Sequence, residues 1–372
     1  MDEAALHELL SGRRNDSAAK LLRCGLHAAS WGYSSAMSLR NLAYNRKFLQ
    51  IHRTSVPVIS IGNITTGGTG KTPLAAWLAN WQVAAGHQPG LLSRGYRSLA
   101  NRSSNDDGRP TEHTVLGNDE KLVLDRLCPG IPHLQQRDRV ASARRAVSEF
   151  GCDVLLLDDG FQHRRLHRDL DLVLVDALQP WGYGQVLPRG LLREPLSGLR
   201  RADVIIVTRA DQCTVEQRQT LLEKLRQIRG SDECVEIAFT PTRLVDLNWQ
   251  PQDLGSVVGK RSFAFCGIGN PSGFGRTIAT LRVTCERMQP FPDHHHYDAG
   301  DLAGLAAQAR EVSAEVALTT QKDLVKIAPA AWHGPPLLAV EIGVEFVNGR
   351  QLLESRLKRP QLPLGHCHDS RK

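Results

Sequence analysis

The stretch SVPVISIGNITTGGTGKTP, residues 55–73, joins a short β-branched apolar run to a glycine-rich loop, and an apolar helical pattern follows it. A strand that leads through such a loop into a helix is typical of a phosphate-binding loop. Glycines let the backbone curl so that several N–H groups point at one anion, and the helix N-terminus adds a partial positive charge. The sequence therefore predicts a nucleotide phosphate site at this loop.

The residues at the end of the loop have separate predicted roles. Lys71 can reach the β- and γ-phosphates, and the hydroxyl of Thr72 can ligate Mg²⁺. Thr65 stands where the common P-loop pattern has its first glycine, so the spacing departs from that pattern. The residues predicted to bind the nucleotide here are Gly67, Gly68, Thr69, Gly70, Lys71 and Thr72.

Outward from this loop, apolar strand patterns alternate with helical ones. The runs CDVLLLDDG, LDLVLVDA and ADVIIVTRAD predict further buried strands. The alternation predicts an α/β fold, with a P-loop NTPase-like parallel sheet and helices on both faces. A length of 372 residues fits about two domains. We expect an N-terminal helical segment at 1–50, a P-loop domain at 51–250, a smaller α/β domain at 261–350 that closes over the active site, and a flexible tail at 351–372.

An acidic turn follows one of these strands. The sequence VLLLDDGFQHRRLHRDLDLVLVD, residues 154–176, places Asp158 and Asp159 directly after an apolar run. A P-loop enzyme needs a carboxylate at such a strand end to hold Mg²⁺ or its water. The sequence therefore predicts that Asp158 or Asp159 binds the metal, although a solvated loop would look similar.

A histidine run and a short tetrapeptide have weaker interpretations. In FPDHHHYD, Asp293 beside His294 could orient an imidazole, and three consecutive histidines could bind a metal. Adjacent side chains rarely point to one centre, which disfavours the metal. The tetrapeptide TRAD, residues 208–211, resembles the guanine-reading strand end of some GTPases, but a plain strand end is the better explanation for so short a match.

A loop rich in proline and glycine carries a third cluster of charges. In LPRGLLREP, residues 187–195, Arg189, Arg193 and Glu194 suit an anionic substrate or phosphate groups. An ordinary surface loop could have the same composition.

The positive charge is concentrated near one end of the chain. The formal net charge is +7, yet no Asp or Glu occurs between Ser17 and Asn105. Such a surface should face an anionic partner. Residues 18–49 predict one or two helices with Leu22, Leu26, Ala29, Tyr33 and Met37 on one face. This face could lie in a membrane interface or could pack on the domain behind it. The sequence shows no spanning apolar run and no signal peptide.

Six motifs of the chain, in order, resemble those of the tetraacyldisaccharide 4′-kinase family, the lipid A 4′-kinases. They are VPVISIGNITTGGTGKTP, LLSRGY, DDGFQHRRLHRDLDLVLVD, LPRGLLREP, FPDHHHY and TTQKDLVKI. The resemblance implies an enzyme that transfers the ATP γ-phosphate, with Mg²⁺, to the 4′-hydroxyl of a lipid A disaccharide 1-phosphate and makes lipid IV_A. It also implies peripheral binding to the anionic surface of the inner membrane, on its cytoplasmic face.

The resemblance also assigns roles to individual residues. It implies contacts to ATP and Mg²⁺ from Lys71, Thr72, Arg139, Asp158 and Asp159, and contacts to the substrate from Arg193, Glu194 and Asp293. The family's catalytic carboxylate and its histidine partner match Asp119 and His294, which we expect to meet across the two domains when the cleft closes. An extra Asn118 before Asp119 leaves Glu120 as the alternative carboxylate. Lys121 and Gln321 also depart from the family pattern.

Two other classes of protein remain as alternatives on the residues alone. A P-loop GTPase or metallochaperone would use TRAD for guanine and the histidines for a metal. A nucleic-acid-binding ATPase would use the basic stretch, but aromatic residues make up only 5% and no nucleic-acid module is recognisable. We therefore expect a monomeric kinase that binds no nucleic acid.

Overall fold

The computed structural model describes residues 8–95 and 119–358. Its helices are α1 (Ser17–Asn45), α2 (Lys71–Ala84), α3 (Asp119–Leu127), α4 (Arg139–Phe150), α5 (Val215–Arg229), α6 (Pro271–Thr280), α7 (Ala299–Glu311), α8 (Gln321–Leu324) and α9 (Arg350–Lys358). Short 3₁₀ turns occur at Gly182–Gly184, Leu196–Arg201, Ala210–Gln212, Leu254–Val257 and Pro329–Ala331.

The strands are β1 (Val58–Asn63), β2 (Pro89–Ser93), β3 (His133–Gln135), β4 (Val154–Asp158), β5 (Leu170–Asp176), β6 (Val204–Thr208), β7 (Cys234–Asp246), β8 (Pro251–Gln252), β9 (Arg261–Cys266), β10 (Thr284–Pro290), β11 (Val316–Thr320) and β12 (Leu337–Asn348). Those described form one sheet in the order β10-β9-β11-β12-β7-β6-β5-β1-β4-β2-β3, with β8 beside β7.

The first half of the sheet is the predicted parallel one. Strands β1, β4, β5 and β6 are buried along almost their whole length, because helices cover both faces and the strands carry Val, Ile and Leu. β1 lies between β4 and β5, so the loop after β1 and the acidic turn after β4 emerge side by side. The fold class predicted from the sequence is confirmed.

The second half of the sheet continues the first instead of forming a sheet of its own. Strands β9, β10, β11 and β12 are parallel to one another, and β12 pairs antiparallel with the long strand β7. β6 pairs with the start of β7, near residues 234–237, whereas β11 pairs with the part of β12 that lies opposite the end of β7. The two sets of strands therefore point their carboxyl ends at each other.

Helix α1 begins at the cap residue Asp16, whose carboxylate accepts a hydrogen bond from the N–H of Ala19 (2.8 Å). Its inner face docks on the P-loop half of the chain. The hydroxyl of Tyr33 donates to the carbonyl of Arg193 (2.8 Å), and that of Ser30 donates to Val186 (2.8 Å). Packing is thus the correct interpretation for Tyr33, which we had placed on a possible membrane face.

The outer face of α1 is apolar and exposed. The side of the helix opposite Tyr33 carries Leu21, Trp31 and Leu39, with exposed fractions of 77%, 76% and 67%. Phe48, just beyond the helix, is 81% exposed. Among the described residues, no helix has both the length and the apolar character needed to cross a bilayer.

The prediction of a flexible tail from residue 351 is wrong for its first part. Residues Arg350–Lys358 form α9, and Leu353 and Leu357 are fully buried in the core beneath α2. The two leucines are four residues apart, which places them on one helix face. The polar composition and the prolines at 360 and 363 had favoured a flexible tail instead. Residues 359–372 of the predicted tail lie outside the described part of the chain.

Candidate active site

The glycine-rich loop leaves β1 and ends at Gly70, which caps α2 in the left-handed conformation (φ 85°). A Cβ atom at this position would overlap the ring of Phe239, so glycine is required for both reasons. Lys71 is the first residue of α2, and the backbone N–H groups of the first turn have no partners within the helix. The loop therefore presents the predicted anion site.

Neighbouring segments hold this loop in place. The N–H of Thr66 donates to the carbonyl of Leu191 (2.7 Å), and that of Arg193 donates to Ile64 (2.7 Å). Arg209 donates through Nη2 to the carbonyl of Gly68 (2.7 Å) and pairs with Asp176. The arginine of the TRAD tetrapeptide thus supports the phosphate loop, a role that the sequence analysis missed.

Asp159 forms the centre of a charged cluster beside the loop. Arg193 donates through Nη1 to both of its carboxylate oxygens (2.7 and 2.9 Å), and Nζ of Lys71 lies 3.6 Å from Oδ1. Burial alone would raise the pKa of Asp159, but the charges of Lys71 and Arg193 hold it below its usual range. Arg139, buried at the start of α4, contributes in the same direction. The structure thus brings these four predicted site residues together.

Asp158 has the environment of a cation ligand. Its side chain is buried at the end of β4, and Oδ1 has no hydrogen-bond partner among the residues that the structure describes. Burial raises the pKa of Asp158 to about 6, and the neighbouring Glu120 and Asp159 add to this, while Lys71 opposes it. A buried, unsatisfied carboxylate oxygen beside a phosphate loop fits Mg²⁺, which binds one or two carboxylates and the substrate phosphates. Within residues 8–95 and 119–358, no group of three or more His, Cys, Asp or Glu side chains is arranged to hold a metal ion.

The side chain of Glu194 is enclosed by protein. It is fully buried and accepts hydrogen bonds from Asn41 of α1 (2.9 Å), Gln162 (3.1 Å) and Arg201 (2.9 Å). A carboxylate enclosed in this way orders the loop that carries Arg193. The substrate contact of Glu194 stays a prediction.

The other predicted pair lies where the two halves of the sheet face each other. Asp119 begins α3 and is buried, and Oδ2 lies 2.9 Å from Nδ1 of His294, which is in the loop after β10. Burial would raise the pKa of Asp119, but the hydrogen bond with His294 and the charges of Lys322 and Lys326 lower it to about 2. The same hydrogen bond raises the pKa of His294.

The three consecutive histidines point in different directions. His294 contacts Asp119, whereas Nε2 of His295 lies 2.9 Å from Asp301 and its ring stacks on Phe291. His296 is in neither contact. The structure thus contradicts a shared metal centre at this run. Asp293, predicted to contact the substrate, lies with Oδ2 3.8 Å from Nε2 of His294 and is partly exposed.

The alternative carboxylate, Glu120, has a partner of its own. Nζ of Lys322 lies 2.8 Å from its Oε1. Lys322 and Lys326, both from the motif TTQKDLVKI, were not predicted as site residues. The signal was the motif itself, whose lysines at a spacing of four lie on one side of a helical turn.

Comparisons with known proteins agree on one family. The family described as Tetraacyldisaccharide-1-P 4'-kinase matches residues 22–360. A tetraacyldisaccharide 4'-kinase of Syntrophus aciditrophicus is 40% identical over 86% of this chain and 89% of its own length. One from Anaeromyxobacter dehalogenans is 38% identical over 87% of both. The crystal structure of LpxK from Aquifex aeolicus in complex with ATP covers 91% of this chain and 99% of its own, with a TM-score of 0.70 and 26% identity. The chain belongs to the tetraacyldisaccharide-1-phosphate 4′-kinase family.

Proposed function

We propose that this chain transfers the γ-phosphate of ATP to the 4′-hydroxyl of a lipid A disaccharide 1-phosphate, giving lipid IV_A. The observation that carries the proposal is the position of two sites side by side. Lys71 influences the pKa of Glu120, which is next to Asp119, and Glu120 influences that of Asp158. The phosphate site and the Asp119–His294 pair are therefore neighbours, as phosphoryl transfer to a hydroxyl requires.

The phosphate side of the cleft stabilises negative charge. The N–H groups at the start of α2, with the ammonium of Lys71, face the place where phosphate oxygens would lie. Asp159 holds the cation of Arg193 near Lys71. The buried Glu194, next in the chain, anchors the same loop through Arg201. Thr72, Asp158 and Asp159 would hold Mg²⁺, which when bound offsets the charge on the transferring phosphoryl oxygens.

The acid–base side accepts the proton of the attacking hydroxyl. A sugar hydroxyl is a weak nucleophile at neutral pH, so a positioned base assists as its O–H bond breaks. Asp119 has a pKa of about 2 and a buried side chain, whereas His294 is 56% exposed and has a raised pKa. The imidazole of His294 is therefore the better proton acceptor, and Asp119 orients it through Nδ1. This exchanges the roles that the sequence analysis gave the two residues.

The outer face of α1 provides a membrane surface. Its exposed Leu21, Trp31 and Leu39 lie near the exposed cations Lys20 and Arg46. Exposed aromatic and aliphatic side chains beside basic ones are typical of helices that lie in the interface of an anionic bilayer. Leaving the bilayer costs acyl chains about 0.8 kcal/mol per CH₂, so the enzyme has to reach its substrate there. The proposed location is peripheral, at the cytoplasmic face of the inner membrane.

The test is a transfer assay with the purified chain, γ-³²P-ATP, Mg²⁺ and the lipid A disaccharide 1-phosphate in mixed micelles. The expected result is a labelled lipid whose phosphate is assigned to the 4′ position by ³¹P NMR. The disaccharide that already carries a 4′-phosphate is the matched control and should remain unlabelled. ATP hydrolysis without transfer, or a preference for GTP, would contradict the proposal and favour a P-loop GTPase.

A further inference from the structure

Asp323 is a buried carboxylate outside the set of residues assigned above. It lies in the short helix α8, directly after β11, and its side chain is completely buried. Oδ2 accepts hydrogen bonds from the N–H of Gly267 (3.1 Å) and the hydroxyl of Thr320 (2.7 Å). Oδ1 accepts one from the hydroxyl of Tyr297 (3.0 Å). One carboxylate therefore ties together the segments that follow β9, β10 and β11.

Lys326 connects this carboxylate to Asp119. Its Nζ lies 3.5 Å from Oδ1 of Asp323 and 3.3 Å from Oδ2 of Asp119, and its side chain is only 6% exposed. A buried ammonium is stable only when charges of opposite sign surround it. Lys326 thus bridges a carboxylate of each half of the sheet, on the side of Asp119 next to His294.

Gly267 connects the same carboxylate to His294. Its N–H donates to Asp323, and its carbonyl accepts from the N–H of His294 (3.1 Å). A Cβ atom at Gly267 would lie 3.0 Å from Cβ of His295 and 3.1 Å from Oδ1 of Asp323, so a larger residue would displace this turn. His294 itself has a left-handed backbone (φ 60°), which its neighbours have to hold.

We propose that Asp323 and Lys326 are positioning residues that fix Asp119 and His294 relative to each other. Asp323 reaches the side chain of Asp119 through Lys326 and the backbone of His294 through Gly267. Both side chains are buried, and they act on the pair through Asp119 and Gly267. This proposal rests on the proposed function, because fixing Asp119 and His294 matters for catalysis only if His294 accepts the proton of the substrate hydroxyl.

The charge of Lys326 also sets the basicity of His294. The charged groups that influence the imidazole are Asp119, Asp293 and Lys322, and those that influence Asp119 are His294, Lys322 and Lys326. Lys326 and His294 both interact with Oδ2 of Asp119. A stronger ion pair between Lys326 and Asp119 therefore weakens the hydrogen bond between Asp119 and His294. Loss of the lysine charge should make the imidazole more basic, and loss of the Asp323 charge should make it less basic.

Two charge variants therefore have opposite predicted effects. In Lys326→Met, the acidic limb of the profile of kcat against pH should move to higher pH, since His294 stays protonated over a wider range. In Asp323→Asn, Lys326 turns more fully to Asp119 and the limb should move to lower pH. Both variants should lose about 10- to 100-fold in kcat through misplacement of the pair. Lys326→Arg keeps the charge and should keep the wild-type limb. Lys260→Met, on an exposed surface, is the control.

A second readout needs no substrate. The imidazole resonances of His294, assigned by their loss in His294→Gln, should titrate at higher pH in Lys326→Met and at lower pH in Asp323→Asn. Shifts of opposite sign support the positioning role even if the disaccharide is not the substrate. The proposal would be overturned if the His294 resonances of the folded variants titrated at the wild-type pH, or if both variants shifted that pH in the same direction. If Lys326→Met does not fold, Lys326→Gln removes the same charge and carries the test.

Discussion

Nδ1 of His294 lies 2.9 Å from Oδ2 of Asp119, although 175 residues separate the two in the chain. They meet because the first half of the sheet directs α3 toward the loops that follow β9, β10 and β11. The sequence analysis expected this pair to form only on closure of a cleft. The structure shows the two side chains in hydrogen-bond contact.

Asp119→Asn should lower kcat by about 10²- to 10⁴-fold, because the imidazole loses the carboxylate that orients it. The pH dependence gives a sharper test. His294 accepts a proton only when neutral, and its raised pKa places the loss of activity above the ordinary value of 6.5 as the pH falls. Asparagine removes the negative charge, so the acidic limb of kcat should move to lower pH. The limb is measured with ATP and lipid saturating at each pH.

The double variant checks that the two residues act as one unit. His294→Ala should be nearly as damaging as Asp119→Asn combined with His294→Ala, since removing the carboxylate changes little once the imidazole is absent. Multiplicative losses would show independent roles. An Asp119→Asn enzyme with full activity would transfer the role to Glu120.

Lys71→Ala should lower kcat by about 10²- to 10³-fold, the usual effect of removing one stabiliser of developing charge. The lysine also lies 3.6 Å from Asp159, so the variant leaves that carboxylate with the charges of Arg193 and Arg139. Single-turnover transfer measures the chemical step, and thermal unfolding shows that the variant is folded. Turnover close to wild type would remove Lys71 from the mechanism.

Glu194→Ala should destabilise the fold by about 3–5 kcal/mol, because the half-buried guanidinium of Arg201 would lose its buried charged partner. Glu149→Ala is the matched control, since its pair with Arg145 is exposed and its loss should change stability little. Urea unfolding measures both. If Glu194 contacted the substrate instead, KM would rise while the free energy of unfolding stayed the same.

Changing Leu21, Trp31 and Leu39 together to Asn should reduce partitioning into vesicles by about 10²-fold or more, given about 1.5–3 kcal/mol for each large apolar side chain that is fully buried. The control changes Val83, Val215 and Val258, which are exposed elsewhere by 50–57%. Sedimentation with phosphatidylglycerol vesicles measures both proteins. Equal sedimentation of the two would mean that α1 is not the membrane surface.

A second variant isolates the electrostatic part of membrane binding. Lys20, Arg46 and Lys47 are exposed, whereas Arg40 donates to the carbonyl of Gln162 (2.7 Å) and supports the fold. Changing only the three exposed cations to Gln should cost about 1 kcal/mol each at low salt and progressively less at high salt. A loss that does not depend on salt would contradict an electrostatic contribution.

The fold of the first half was predictable because its signals are local. Each strand is a short run of branched apolar residues, and the loop at 64–70 has the glycine-rich pattern of a phosphate-binding loop. The antiparallel pairing of β7 with β12, which joins the two halves of the sheet, was not predictable in this way. β7 and β12 pair over a separation of about a hundred residues, and their patterns on one chain do not specify which strand each will meet.

The site was predictable to a similar extent. Lys71 and Asp159 follow from the loop and the acidic turn, but Asp119 and His294 were paired only through the family resemblance. The motif TTQKDLVKI gives no sign of a role for Lys326 or Asp323, because their importance depends on burial. A lysine in sequence resembles any exposed lysine until its side chain is seen between two carboxylates.

The ladder between β7 and β12 works as a spacer of fixed length. The P-loop strands attach at one end of it and the strands that carry His294 attach at the other, with their carboxyl ends facing inward. Each pair of residues added to both strands would preserve which side chains face the core and would move the two ends apart by about 6.8 Å. That increment exceeds the length of a hydrogen bond. Lengthening both strands by two residues would therefore separate the phosphate site from the imidazole of His294.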